Sequence, residues 1–277
     1  MIILELIKVN TKKCIGCGAC SNVCPRRIIT MADGFPHDVY PAACIACGHC
    51  VAVCPTEALD NVRSPLSGQT PIEEQSRISS AAARQLLRSR RSIRKYRQQP
   101  VSDDVVRELL DVARLAPTGG NAQGVSYIVI READVLRQIT ALTIDWLEAA
   151  VAQGSDWAQK YAGYIRAYRN DGEDTVLRNA PCFILATAAA DFPRGRENSC
   201  FALAYAELYA PALGLGTCWA GIFEACMFAG YQPMFELLNL PAGKVVTAAI
   251  MAGYPQYKYH RLVDRNPLAI TFGVPGK

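Results

Sequence analysis

The sequence predicts two unequal parts: a small cysteine-rich segment, then a larger domain mixing helices with short apolar strands. Three observations predict it. The chain has 277 residues, more than one domain of about 100–200 needs. Twelve cysteines are present, and eight of them lie between Cys14 and Cys54. Beyond Pro100, helical apolar patterns alternate with apolar runs of strand length.

Composition narrows the classes further. Hydrophobic residues make up 51% and charged residues 19%, which excludes a disordered chain. Nothing approaches the roughly 18 uninterrupted apolar residues of a membrane span. Met1 to Lys8 has Glu5 inside its apolar run and no small-residue cleavage site, so the expected compartment is the cytoplasm. A net charge of +4 is mild and points neither to nucleic acid nor to an anionic membrane surface. A chain this long can bury a core without disulfide staples. Clustered cysteines without a secretory signal read as metal ligands.

The first run is Cys14-Ile-Gly-Cys17-Gly-Ala-Cys20-Ser-Asn-Val-Cys24-Pro25, and the second is Cys44-Ile-Ala-Cys47-Gly-His-Cys50-Val-Ala-Val-Cys54-Pro55. Each follows C-x2-C-x2-C-x3-C-P. This spacing resembles a two-cluster bacterial ferredoxin over about residues 8 to 60. The resemblance implies two [4Fe-4S] clusters. Three thiolates on a tight turn hold three irons of one cubane, and the fourth cysteine ligates the other cluster. One cluster would take Cys14, Cys17, Cys20 and Cys54; the other would take Cys44, Cys47, Cys50 and Cys24. Gly16, Gly18 and Gly48 let backbone approach the sulfurs, and Pro25 and Pro55 end the ligand runs. Two zinc sites or a disulfide knot are the competing readings. Zinc draws four ligands from two C-x2-C pairs across a longer spacer, not from two interleaved runs of four. His49 reads as a surface residue.

The following elements come in order. The expected boundaries are a cluster domain at 1–60, a linker at 61–83 and a large domain at 84–277. Pro65, Gly68 and Pro71 mark the linker. From Ser80 the pattern is helical and basic, with Arg84, Arg88, Arg90, Arg91, Arg94, Lys95 and Arg97. A solvated cationic face is one reading of that run; a nucleic-acid patch is weakened by the lack of interleaved aromatics. Residues 102 to 116 read as an amphipathic helix capped by Ser102 or Asp103 and stopped by Pro117. Tyr127 to Ile130 is a short strand, and 134 to 169 is helical. Phe183 to Ala188 and Val245 to Met251 read as central strands covered on both faces. Residues 199 to 213 form a helix apolar nearly all round, with one acid, Glu207. It must be central or sealed by a second subunit, and Pro211 should kink or end it.

Four loops carry the remaining chemistry: Arg90 to Tyr96, Ala116 to Gln123, Gly214 to Gly221, and Gly253 to Arg265. In this order they resemble the flavin-binding motifs of the nitroreductase family, over about residues 84 to 277. The resemblance implies an α+β fold, a mixed sheet with surrounding helices, and a homodimer binding FMN at the subunit interface. Arg90, Arg91, Ser92 and Arg94 would hold the FMN phosphate and ring edge, as suits guanidinium forks. Arg265, with Arg261, would meet the phosphate from the carboxy-terminal side. Pro117, Thr118, Gly119 and Asn121 would reach the flavin from the partner subunit. Ala220 and Gly221 would pass backbone along the isoalloxazine and tune it. Many family members carry an acid where this chain has Gly221. Cys218 either shapes the pocket or packs as a small hydrophobe; Cys200 and Cys226 read as core. No G-x-G-x-x-G follows a strand, so a Rossmann site is not expected.

No side chain stands out as a catalytic acid or base, and the three histidines include only His260 near these loops. The expected function is an FMN-dependent oxidoreductase fed by its own two clusters. Its substrate would be a small organic acceptor of nitroaromatic, quinone or activated-alkene class. An external ferredoxin or another low-potential donor would supply electrons. The alternative is a flavin and iron–sulfur relay or redox sensor without an organic substrate.

Overall fold

A computed structural model of the chain describes residues 5–274. Met1 to Leu4, part of the run read for a signal segment, lie outside the described residues. The chain divides into two compact units. One is Met1–Arg77 with Thr118–Gln123; the other is Ile78–Pro117 with Gly124–Lys277.

The first unit is a doubled motif. Strand β1 (Ile7–Val9) is followed by helix α1 (Ala19–Asn22), the hairpin β2 (Ile29–Ala32) and β3 (Phe35–Asp38), helix α2 (His49–Ala52) and strand β4 (Leu59–Asn61). β1 pairs antiparallel with β4, and β2 with β3. Each short helix starts after a left-handed glycine, Gly18 at φ 71° and Gly48 at φ 72°. The buried core is Leu6, Ile7, Ile28, Ile29, Cys50, Val51 and Leu59, with Cys20, Cys24, Cys44 and Cys54 packed against it. So small a core supplies little folding free energy, and units of this size are commonly stapled by metal. Part of the expected linker folds back here: Arg63 Nη1 donates to Cys44 O at 2.7 Å, and Leu66 N–H to Asp60 Oδ1 at 2.8 Å.

The second unit begins with α3 (Ser80–Ser89) and α4 (Asp103–Ala113). Both start at a serine whose hydroxyl accepts from the third residue on: Ser79 from Ala82 N–H and Ser102 from Val105 N–H. Strand β5 (Ser126–Ile130) precedes α5 (Ala133–Ala152), α6 (Asp156–Gln159) and α7 (Ala162–Asp171). The helical patterns expected over 134–169 are these three helices, with the chain turning at Gly154, φ 80°, between α5 and α6. Then come β6 (Cys182–Ala189), α8 (Gly195–Tyr209), β7 (Gly216–Trp219), α9 (Gly221–Phe228), α10 (Gln232–Leu238) and β8 (Lys244–Gly253).

The four strands run β5-β6-β8-β7 and pair antiparallel. A parallel bridge joins Ser92 to Thr217. Alternate residues of β6 serve two cores, as a strand's period of two requires. Phe183 and Leu185 join Ile139, Leu147, Phe223 and Met234, so α5, α9 and α10 cover one face. Cys182, Ile184 and Ala186 join Val106, Leu109, Leu203 and Ala206, so α4 and α8 cover the other. This matches the expectation of central strands covered on both faces. Helix α8 is less enclosed. It buries Ala202, Leu203 and Ala206, whereas Phe201 is 53% and Tyr205 42% exposed. The chain continues past Tyr209 as a tighter turn over Ala210–Leu213, because Pro211 cannot carry the helix on.

Segment 92–96 is pinned to the sheet. Ile93 N–H donates to Thr217 O at 2.8 Å, and Tyr96 Oη donates to Ile93 O at 2.6 Å. That approach needs Gly216, where a Cβ would overlap Ile93 and stand 2.9 Å from Pro255 Cγ. Gly216→Ala overpacks this junction. The expected cost is about 1–3 kcal/mol, read as a fall of several degrees in the Tm of the second unit's calorimetric transition; an unchanged Tm would refute the pinning argument.

Candidate functional site

The eight cluster-motif cysteines form two sets, and each set is interleaved. Cys14, Cys17, Cys20 and Cys54 line one small apolar cavity together with Met31 and Pro36. Cys24, Cys44, Cys47 and Cys50 line another, with Ile28 and Ile29. The fourth cysteine of each motif thus lines the cavity of the other motif's turn. Among the described residues no three His, Cys, Asp or Glu groups converge as single-ion ligands. Four thiolates spread around an apolar cavity suit the four irons of a cubane better than one tetrahedral zinc.

Donors converge on the sulfurs. Ala58 N–H reaches Cys54 Sγ at 3.2 Å, Ala46 N–H reaches Cys44 Sγ at 3.4 Å, and Asn61 Nδ2 reaches Cys50 Sγ at 3.7 Å. Burial pushes the Cys20 and Cys50 thiols up. At Cys54 burial also acts upward, but donors from Ala58 and Thr56 outweigh it and lower the thiol. Gly48 stands at φ 72°, a conformation glycine takes freely. His49 is exposed, with Nδ1 3.1 Å from Cys47 O.

The second unit carries an arginine cradle. Arg88, Arg90, Arg91, Ser92, Arg94 and Arg265 line one cavity of about 550 Å³, with Asp264 and Tyr259. Five cations against one carboxylate repel one another unless an anion sits among them. The donor set fits a phosphate, which accepts paired guanidinium N–H groups. The pinned strand segment sets the arginine backbone, and side chains refine it. Arg91 Nη2 donates to Arg261 O at 3.1 Å, and its guanidinium lies 5.2 Å from the Tyr259 ring centre. Arg261 therefore contributes a carbonyl here, while Arg265 lines the cavity.

Glu207, the lone acid of the apolar helix, sits behind Arg90, with Oε1 3.8 Å from Arg90 Nη1. Thr217 Oγ1 donates to the same oxygen at 3.2 Å. Burial raises the Glu207 carboxyl, and Arg90 and Thr217 act against that. Arg88, Tyr259 and Glu207 were missed as site residues by sequence reasoning. An acid alone in an apolar helix was the available signal for Glu207.

The other two loops differ in what they offer. Ala220 N–H donates to Ala249 O at 3.0 Å and belongs to the sheet. Gly221 is the exposed first residue of α9, where backbone N–H groups have no acceptor inside the helix. Cys218 is 5% exposed and burial pushes its thiol up, which favours the packing reading. Thr118 to Gln123 lies within the first unit. Thr118 Oγ1 accepts from Gln123 N–H at 3.1 Å. Asn121 Nδ2 donates to Ile45 O at 2.9 Å and Ala46 O at 3.1 Å.

Comparison with known proteins agrees with both halves. Residues 6–69 match the 4Fe-4S dicluster domain, and residues 87–254 match the Nitroreductase family. An iodotyrosine deiodinase of Nematostella vectensis is 28% identical over 47% of this chain and 48% of its own. The chain thus spans about half the length of that relative. An NADH dehydrogenase of Thermus thermophilus is 26% identical over 62% of this chain and 88% of its own. The crystal structure of a nitroreductase with bound FMN from Bacteroides fragilis superposes with a TM-score of 0.54 at 16% identity, over 70% of this chain and all of that one. The fold, the motif order and a match across more than half the sequence agree: the chain belongs to the nitroreductase family and carries an amino-terminal 4Fe-4S dicluster domain.

Proposed function

We propose that the protein is an FMN-dependent oxidoreductase that uses two [4Fe-4S] clusters as the electron supply for reducing a small organic acceptor. Nitroaromatics, quinones and activated alkenes are the acceptor class. The arginine cavity carries this reading, because five guanidinium side chains around one cavity need a polyanion. Arg90, Arg91, Ser92 and Arg94 would hold the FMN phosphate from one side and Arg265 from the other. Glu207 orients Arg90 from behind and keeps part of the cationic charge paired. By the same family resemblance, the Gly221 backbone would tune the ring system, and Pro117, Thr118 and Gly119 would reach it. FMN exchanges two electrons with organic acceptors, whereas iron–sulfur clusters pass one at a time. Covalent fusion raises the effective concentration of the donor, so no encounter step limits its delivery. An external ferredoxin or a similar low-potential donor would charge the clusters.

A homodimer is part of the same proposal. Phe201, Tyr205 and Phe228 leave apolar rings at the surface, and farther along Leu268 and Phe272 are 83% and 89% exposed. Phe201 and Tyr205 lie one helical turn apart on α8, so one partner surface could cover both. A second copy on α8 would satisfy the all-round apolar character of that helix.

Five outcomes test the proposal. Anaerobically purified protein should release FMN near one per chain and hold about eight irons; iron without flavin would sink it. Cys14→Ser should remove about half the iron and leave the flavin. Arg90→Ala and Arg265→Ala should each weaken FMN retention by about 10–100-fold, the loss of a charge-assisted hydrogen bond, with the difference from the natural protein shrinking at high salt, which screens the contact in both. Dithionite-reduced protein should be reoxidised by p-benzoquinone or nitrobenzene. In light scattering, Phe201→Glu with Tyr205→Glu should convert dimer to monomer; a monomeric natural protein would overturn the dimer reading.

A further inference from the structure

The two cysteine motifs differ at one backbone position. The first reads Cys14-Ile-Gly16-Cys17 and the second Cys44-Ile-Ala46-Cys47. Gly16 has φ 66°, and Ala46 adopts the same left-handed conformation at φ 53°. Glycine takes that conformation freely, while a residue with a Cβ pays about 1–2 kcal/mol. Something in the second turn must offset the strain.

Asn121 sits at that place. Its Nδ2 donates to Ile45 O and Ala46 O, which are the carbonyls of the two peptides flanking Ala46. The first of these peptides also gives its N–H to Cys44 Sγ at 3.4 Å. One peptide is thus held at its carbonyl end by Asn121 and offers its other end to a cluster-ligand sulfur. A donor on the carbonyl polarises the peptide and strengthens the N–H on its far side. Asn121 itself stands at φ 55°, a conformation asparagine tolerates well. It lies 76 residues from Ile45 in sequence.

We propose that Asn121 is a positioning residue of the second cysteine set: it holds the strained Cys44–Cys47 turn and tunes its N–H···S contact. The inference rests on the reading of Cys24, Cys44, Cys47 and Cys50 as cluster ligands. It gives the asparagine of the second flavin-type loop a use distinct from the one the family resemblance implies. Donors to the sulfurs stabilise the reduced, more negative cluster. Weakening them should make one cluster harder to reduce and leave the other alone. Replacing Ala46 by glycine removes the strain and should make the turn independent of Asn121.

The test uses the full chain, purified anaerobically, in four forms: natural, Asn121→Ala, Ala46→Gly and the double variant. Redox titration followed by electron paramagnetic resonance reads each cluster, and a chelator challenge reads the rate of iron loss. In Asn121→Ala, one cluster should titrate at a more negative potential, and half the iron should leave about tenfold faster, the scale of a lost hydrogen bond. The other half is the internal control. The double variant should return the iron-loss rate to that of Ala46→Gly alone. If Asn121→Ala holds no iron in the second set, recovery of that iron in the double variant supports the proposal. Equal shifts in both clusters, no shift in either, or no rescue by Ala46→Gly would overturn it. The iron count of the natural chain tests the cluster reading separately. Should that count be zero, hydrogen exchange at residues 44–47 decides the inference, since Asn121→Ala must then accelerate it about tenfold.

Discussion

Strand β6 is the constraint on which the larger unit depends. Cys182 to Ala186 have no exposed surface, so both faces of the strand must be covered. Fully burying a large apolar side chain is worth about 1.5–3 kcal/mol, and β6 demands this in alternation on both sides. Helices α4 and α8 answer on one face, and α5, α9 and α10 on the other. Phe183 meets Phe223 edge to face, with ring centres 4.9 Å apart. The central pair β6 and β8 leaves β7 at one side of the sheet, where Thr217 accepts the backbone of Ile93. The arginine segment takes its place from that pairing.

The cradle follows from this geometry. The backbone pinned at Ile93 carries Arg90, Arg91 and Arg94, which line one cavity. Glu207 relieves part of the repulsion from inside helix α8, and Thr217 both accepts Ile93 and donates to Glu207. One strand residue therefore sets the position of the arginine backbone and of the acid behind it. The remaining positive charge is what an anionic ligand would answer.

The smaller unit obeys a different balance. Its buried core is short, and four cysteines pack directly against it. Backbone donors already point at Cys44 and Cys54 before any metal is considered. A unit built this way would couple its folding to any inorganic centre it holds, because the cysteine turns and the core share the same residues.

Much of this was legible in the sequence, for local reasons. Cysteine spacing sets which thiolates share a turn, and the doubled motif implied the interleaving that the two cavities display. A serine cap and apolar periodicity are equally local, and they placed α4, β6 and β8, whereas Arg90, Arg91, Ser92, Arg94 and Arg265 were singled out by the order of four loops that resembles a known family. The partners that came from elsewhere were not legible. Glu207 behind Arg90, Tyr259 under Arg91 and the engagement of Ala220 N–H by Ala249 are contacts between distant parts of the chain. The same holds for Asn121: its residue type was visible, but the carbonyls it binds were not. Sequence by itself determined which chemical groups are present and which lie on one turn or face. Only the tertiary structure decided which of them meet, because a hydrogen bond between residues far apart in the chain depends on how the intervening elements pack.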